Sequence, residues 1–405
     1  MIKWMRVQNF KNLADVEAEF NPLNVIIGSN GAGKSSLLQA IDFLKAVFYP
    51  SIDSYLQEKE INYADLPNLR QSGKHMKWHL IVELPKDQHN GSEGKYEYMI
   101  TVRRWRYLGV GQEKLVYRDN HGNEKVLLDR DGTKIHTFYG KKEQADTTEI
   151  AKVMRLPCSY LSNISEKFKA QYPEVFHFRD WVMSFRSFLI WDPKVLRKKD
   201  RGKHTELGTS GEHLAPVLAN IKRNNRQQFE KIVNKVKSLF PTVSGIEIKG
   251  SQGWGWQEIF LTEAGNRRAI FNSEQMSDGI LRLLAISTFL YSEKAPGVLT
   301  FEEPENGIHP QLVGQVINML RVLTLKKPPN NCQVFFTTHS PYILDQFIES
   351  PEEVYVMERG RPQQGARLIR LSENSNVQAI KDTFKNALGE AWYSGLIGGT
   401  AKGRT

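Results

Sequence analysis

Residues 28–35 read Gly-Ser-Asn-Gly-Ala-Gly-Lys-Ser. They lie between a strand-like run at Asn24–Ile27 and a helical pattern that begins at Lys34 or Ser35, with Leu37, Leu38, Ile41, Leu44 and Val47 on one face and Pro50 closing it. This is the full GxxxxGK[ST] pattern in the strand–turn–helix setting that the motif requires. Gly28, Gly31 and Gly33 let the backbone turn so that its N–H groups face an anion, and Ser29, Asn30 and Ala32 fill the turn between them. The helix start adds a partial positive charge. Lys34 is placed to reach the β- and γ-phosphates of a nucleotide, Ser35 to ligate Mg²⁺, and Ser36 follows in the first helical turn. The stretch therefore predicts a site for ATP with Mg²⁺, and counts Lys34 among the catalytic groups.

Such a loop does not name a reaction, and the C-terminal third holds three stretches that could complete one. "VLTFEEPENGIHP" (298–310) is a short apolar strand ending in Glu302-Glu303. A carboxylate at a strand end can hold Mg²⁺, and a second beside it can orient and deprotonate the attacking water. We assign Glu302 to the metal and Glu303 to the base; an acidic surface turn is the plainer alternative, since Pro304, Gly307 and Pro310 make a turn here. "NCQVFFTTHSPYIL" (331–344) places His339 just past a buried-type strand, where it can contact a γ-phosphate or serve the structure alone. "NSEQMSDGILRLLAI" (272–286) sets Ser277, Asp278 and Gly279 at a helix start, suited to an anion or simply to a helix cap.

The rest of the chain bounds the answer. Its 405 residues are 40% hydrophobic and 25% charged, ordinary for a soluble globular protein. No apolar run approaches the roughly 18 residues of a membrane span, and the N-terminal stretch lacks the apolar core of a signal peptide. Cys158 and Cys332 have neither pairing nor ligand spacing. A cytoplasmic protein without a membrane partner is expected. The net charge of +10 favours polyanions. Strand patterns near Ile2–Val7, Val16–Phe20, 76–140, Gly245–Lys249 and Glu258–Thr262 surround a mostly helical middle that includes Gly211–Phe240. Alternating helix and strand after Asp278 predicts an α/β layer shared by the two ends of the chain. The expected division is an N-terminal ATPase lobe with a β-rich part over 1–142, a helical insertion over 143–243, and a C-terminal ATPase lobe over 244–405.

The order of these parts resembles the ABC-type ATPases of the SMC, RecF and OLD groups, most of all the stand-alone prokaryotic ATPases known as AAA-type domain 21. "VQNFKNL" (7–13), "LGTSGEHLAPVL" (207–218), "EEPENGIHP" (302–310) and "LGEAWYSGLIGG" (388–399) share that likeness, which runs over most of the chain. The resemblance implies a P-loop head of mixed α/β fold with an antiparallel β lobe and a helical insertion. It makes Ser277 and Gly279 the signature that meets ATP on a second copy, Asn306 and Gly307 the D-loop, and His339 the switch histidine. Lys11 and Asn12 match positions that touch nucleotide, and Gln71 is a candidate for the metal-facing Q-loop glutamine. Two departures stand out: Met276-Ser277-Asp278-Gly279-Ile280 replaces LSGGQ, and Glu302 replaces the usual aspartate.

A head-to-tail dimer sandwiching two ATP molecules follows from the resemblance. Lys194–His204, Arg103–Tyr107 and the helix Lys222–Lys237 are basic, each readable as a DNA-facing surface or a solvated face. No Asp-x-Asp cluster follows Ser340, so cutting is expected from a separate effector protein. Relatives imply a role in DNA repair or anti-phage defence. The alternative is a slowly hydrolysing scaffold that keeps a toxic partner inactive; a transporter subunit and a small-molecule kinase fit less well.

Overall fold

The computed structural model describes residues 1–71, 75–85, 93–104, 108–132, 134–139, 141–142, 157–189, 191–250, 255–265, 269–291, 295–325, 331–360, 365–374, 380, 382–383 and 387–398. The strands are β1 (Ile2–Phe10), β2 (Leu13–Glu19), β3 (Leu23–Ile27), β4 (Met76–Leu84), β5 (Gly94–Arg104), β6 (Leu108–Asp119), β7 (Glu124–Asp131), β8 (Lys134–Phe138), β9 (Lys141–Lys142), β10 (Arg186–Phe188), β11 (Val243–Gly250), β12 (Gln257–Glu263), β13 (Ile270–Asn272), β14 (Val298–Glu302), β15 (Gln333–Thr337), β16 (Val354–Glu358) and β17 (Arg367–Arg370). The helices are α1 (Lys34–Ala46), α2 (Ile52–Glu58), α3 (Pro173–Met183), α4 (Pro193–Arg197), α5 (Leu214–Asn224), α6 (Arg226–Leu239), α7 (Asp278–Leu290), α8 (Pro310–Leu325), α9 (Pro341–Leu344) and α10 (Leu388–Tyr393). The chain forms two compact units: Met1–Phe185 with Pro296–Thr300 and Lys327–Thr405, and Arg186–Ala295 with Phe301–Lys326.

In the first unit, β4 alternates buried and accessible positions, the pattern of a strand with one face on a core. It belongs to an antiparallel sheet ordered β2-β1-β4-β5-β6-β7-β8-β9. By contrast β3 and β15 are buried at every residue, as parallel strands covered on both faces are. They sit in a second sheet, in which β15, β3 and β16 run parallel with β3 in the middle and β17 closes the edge antiparallel to β16. So the two ends of the chain share one α/β layer. The amphipathic α1 buries Leu37, Leu38, Ile41, Phe43 and Leu44. Trp78 of β4 stacks on Phe43, centroids 5.1 Å apart, and donates its indole N–H to Ala40 O at 3.0 Å, fixing the helix against the β-rich sheet. The Gln333 amide joins the sheets: Oε1 accepts from Ile2 N–H at 2.7 Å, and Nε2 donates to Ile2 O at 2.8 Å and Asn21 O at 2.9 Å.

An ion pair lies inside this unit. Arg130 Nε meets Glu113 Oε2 at 3.1 Å, both side chains almost fully buried. Glu113 also accepts from Tyr98 OH at 2.8 Å, from Tyr160 N–H at 3.0 Å and from the Ser159 hydroxyl, and Arg130 donates to Gly132 O at 2.6 Å. Burial, then the Glu113 charge, push the Tyr98 phenol well above its ordinary pKa, so it stays a donor.

In the second unit, β11, β12 and β13 form a small antiparallel sheet. Phe229, Ile232, Val233 and Val236 make the buried stripe of α6 at helical spacing. The helical run expected over Gly211–Phe240 holds two helices, and the helix expected over Lys222–Lys237 is divided between them. Gly211 (φ 94°) and His213 (φ 68°) keep the chain out of the helix before Leu214. The chain then breaks at Asn225, whose side chain caps α6 by accepting from Gln228 N–H at 3.0 Å. In the first unit, the segment after β15 forms only the short α9 and a 3₁₀ turn, Asp345–Phe347. Of the expected insertion, residues 143–156 lie outside the described residues.

Candidate nucleotide site

In the first unit, three parallel strands end together. Thr337 of β15 is level with Ile26, and Val356 of β16 with Ile27. The phosphate loop leaves from this edge, where ligands of open parallel sheets sit. Gly28 has φ 147°, and a Cβ on it would lie 2.2 Å from Met357 O, so no other residue fits. At Gly33 (φ 122°) a Cβ would meet the Asn12 amide at 2.9–3.0 Å; at Gly31 (φ 73°) there is open space, and only the backbone conformation calls for glycine. Gly33 precedes α1 without a side-chain cap on the first turn, which leaves those amides to a phosphate. The Lys34 ammonium is buried and donates to Gly28 O at 2.8 Å and Ser29 O at 3.2 Å, so it lies inside the loop it serves. Ser35 is exposed and Ser36 half-buried. The hydroxyl of Ser35 is a hard oxygen donor of the kind Mg²⁺ accepts beside phosphate oxygens, so the loop fits both groups.

Of the other predicted residues of this unit, Asn12 and His339 lie beside the loop, and Lys11 and Gln71 belong to neighbouring turns. Lys11 (φ 49°) and Asn12 form the turn between β1 and β2. Lys11 N–H donates to Leu66 O at 2.6 Å, and Asn12 Nδ2 lies 3.4 Å from Gly31 O. Thr338 N–H donates to Ile26 O at 3.2 Å, continuing the β15–β3 ladder, so His339 emerges, exposed, at the edge where the loop begins. Gln71, half-buried, follows Asn68, whose N–H donates to Asn9 O at 2.9 Å; residues 72–74 lie outside the described residues.

The second unit assembles the signature and the acidic turn. Ser277 caps α7, accepting from Ile280 N–H at 3.4 Å, and stays exposed. Gly279 faces the turn at Gly307: a Cβ there would lie 3.7 Å from Gly307 O. Glu302 ends β14, and Glu303 takes φ 46°, a left-handed conformation uncommon for glutamate, as the chain turns. Asn306 N–H donates to Glu303 O at 3.0 Å. Phe301 is wedged between Trp191 (4.6 Å) and Phe188 (5.6 Å), which holds the residues next to the carboxylates in place.

Two arginines that the sequence reading did not assign to the signature hold it. Arg197, expected as part of a DNA-facing or solvated basic segment, pairs with Asp278 and donates to Met276 O at 2.9 Å. Its own carbonyl accepts from Ser273 Oγ at 2.6 Å. The buried Arg282 donates to Trp191 O at 2.6 Å and packs against Gly307 (φ 73°), Nε 3.2 Å from where a Cβ would be; burial lowers its pKa. Arg282 was visible as a charge interrupting the apolar run of α7, whereas nothing local marked Arg197. Of the other basic positions, Lys199 and Arg201 lie 6.0 and 5.6 Å from the ring centroid of Trp256, which is 49% exposed. Arg103 pairs with Asp131 at 3.2 Å, Arg226 approaches Glu230 at 3.8 Å, and residues 105–107 lie outside the described residues.

A glycine loop at the carboxyl edge of a parallel sheet, opening into an uncapped helix, defines a P-loop NTPase head. The chain belongs to the family described as "AAA domain, putative AbiEii toxin, Type IV TA system", whose model matches residues 23–345. It is similar to the OLD nuclease of Thermus scotoductus, 42% identical over 55 residues, 14% of this chain and 10% of that protein. It is also similar to the DNA replication and repair protein RecF of Coxiella burnetii, 24% identical over 278 residues, 63% of this chain and 62% of RecF. The RecF of Streptococcus uberis is 50% identical over 44 residues, 11% of this chain and 12% of that one. The chain thus spans less than two thirds of each of these relatives. The crystal structure of an Smc head bound to the C-winged helix domain of ScpA matches with a TM-score of 0.51 at 14% identity, covering 91% of this chain and 97% of that one; it shows the fold. The chain therefore carries an α/β P-loop head of the SMC/RecF/OLD-like type. Among the described residues no helix is long and apolar enough to cross a membrane.

Proposed function

We propose that this protein binds ATP with Mg²⁺ and hydrolyses it between two head-to-tail copies. The observation that carries the reading is the phosphate cradle: three glycines with positive φ, a buried Lys34 and an uncapped α1. Backbone N–H groups of 28–36 hold the phosphates, Lys34 screens the charge that develops on the transferred group, and Ser35 with Glu302 holds the cation. Mg²⁺, when bound, neutralises phosphate charge. Glu303 accepts the proton of the attacking water, and His339 steadies the γ-phosphate. Lys11, Asn12 and Gln71 border the nucleotide, Gln71 toward the metal. Ser277 and Gly279 of the partner subunit close the site, held by the contacts that Arg197 and Arg282 make within each copy.

On this reading 1–142 and 244–405 are the two ATPase lobes and 143–243 the insertion that carries the basic side of the regulatory surface. The exposed Trp256 under Lys199 and Arg201 supports DNA as the ligand that gates the cycle, by stacking and phosphate attraction. A separately encoded effector, in cytoplasmic DNA repair or phage defence, would read the closed state.

The test is steady-state ATP hydrolysis by wild type and Glu303→Gln, each with and without duplex and single-stranded DNA. Turnover that Glu303→Gln lowers at least 10²-fold, and that DNA changes, is the expected result. Hydrolysis indifferent to every nucleic acid would sink the DNA part and leave a protein partner. Equal turnover in the two proteins would sink Glu303 as the base. ATP bound but hardly turned over by wild type would instead favour the scaffold reading.

A further inference from the structure

Away from the nucleotide residues, the loop from α4 to α5 brings three ligand-type side chains to one point. One ligand atom each from Asp200, His204 and His213 lies within 4.8 Å of the other two. Each is set there by its own backbone feature. Asp200 exchanges backbone hydrogen bonds with Gln257, 2.7 and 3.1 Å, which anchors it to the start of β12. Gly202 turns the chain with φ 99°, and a Cβ there would meet His204 Nε2 at 3.1 Å. His213 takes φ 68° immediately before α5, a left-handed conformation that aims its ring back at the loop. His213 Nδ1 then lies 2.5 Å from Asp200 Oδ2, and the two imidazoles stack with centroids 3.7 Å apart and planes 9° from parallel. His204 Nε2 also lies 3.2 Å from Arg201 O, the sort of outer partner that orients a ligating ring.

We propose that Asp200, His204 and His213 bind one divalent transition-metal ion, Zn²⁺ for preference. Two imidazoles and a carboxylate are the donors that borderline cations choose over Mg²⁺ or Ca²⁺, and three protein ligands leave a position for water. Ligand atoms on one zinc stand roughly 3 Å or more apart, given bonds of about 2.0–2.1 Å. The ion therefore replaces the His213–Asp200 hydrogen bond and spreads the pair slightly. Bound there, it ties both ends of the 200–213 loop together, and with them the segment that sets Lys199 and Arg201 over Trp256.

The experiment uses the full chain, stripped with chelator and free of nucleotide. Zn²⁺ is titrated by calorimetry, and retained metal is counted by mass spectrometry after dialysis. One zinc per chain is expected, with a raised melting temperature, and His204→Gln should weaken binding at least tenfold. A His204→Cys variant loaded with Co²⁺ supplies an independent readout: a thiolate-to-cobalt absorption band appears only if residue 204 is on the metal. Absence of stoichiometric zinc in wild type, wild-type affinity in His204→Gln, or a missing cobalt band in metal-loaded His204→Cys each overturns the proposal.

Discussion

At the scale of single residues, the phosphate loop separates two reasons for glycine. Gly28 has no room for a side chain because β16 passes behind it, whereas Gly31 has room and needs only its conformation. Gly28→Ala must move the Met357 carbonyl or the loop, so it should abolish binding of a fluorescent ATP analogue and lower the melting temperature. Gly31→Ala should keep measurable binding, because its cost is confined to about 1–2 kcal/mol of left-handed strain. Equal binding by the two variants would count against this distinction. The need for glycine was legible from the motif. Its cause at position 28 was not, because the obstructing carbonyl belongs to a strand far along the chain. Arg197 was misjudged for the same reason: a basic segment looks solvated until the carboxylate it meets, Asp278, is brought beside it.

At the scale of elements, the β-rich sheet depends on one buried charge pair. Glu113 on β6 and Arg130 on β7 satisfy each other, and Glu113 also ties down the 159–160 turn. Removing one partner leaves the other charge buried, which costs about 3–5 kcal/mol. Arg130→Met is therefore expected to lower the unfolding free energy from urea titration by that amount. Arg130→Met combined with Glu113→Gln should recover part of the loss; a double variant no better than the single one would refute the pairing as the cause. Strands that alternate, such as β4 and β5, and amphipathic helices such as α1 were readable because one face meets the core. The short β16 was not: Val354–Glu358 has no period and no flanking motif, and only its place beside β3 makes it a strand. The break at Asn225 escaped notice because the apolar spacing runs on through it, while the capping hydrogen bond that decides the matter is local and polar.

At the scale of the whole molecule, the proposed dimer makes its own prediction. Glu303→Gln should hold ATP without cleaving it, and light scattering after gel filtration should then give twice the mass of the chain with ATP and the single mass without it. Adding Ser277→Arg, at an exposed helix start, should restore the single mass while ATP still binds. If the dimer survives Ser277→Arg, the signature is not at the interface. The order of motifs announced the head fold. The unit boundaries it could not announce, because the second unit is built from two separate stretches of chain, and proximity in sequence says little about them.

The position of β3 has a consequence for how the protein is made. β3 leaves the ribosome well before both of its neighbours, β15 and β16, which lie more than three hundred residues downstream. At about 5–20 residues per second a ribosome leaves that apolar strand without its partners for tens of seconds. During that interval the phosphate loop has no sheet to stand on, so an interrupted nascent chain cannot grip ATP. Only a chain translated past β16 can enter the nucleotide cycle.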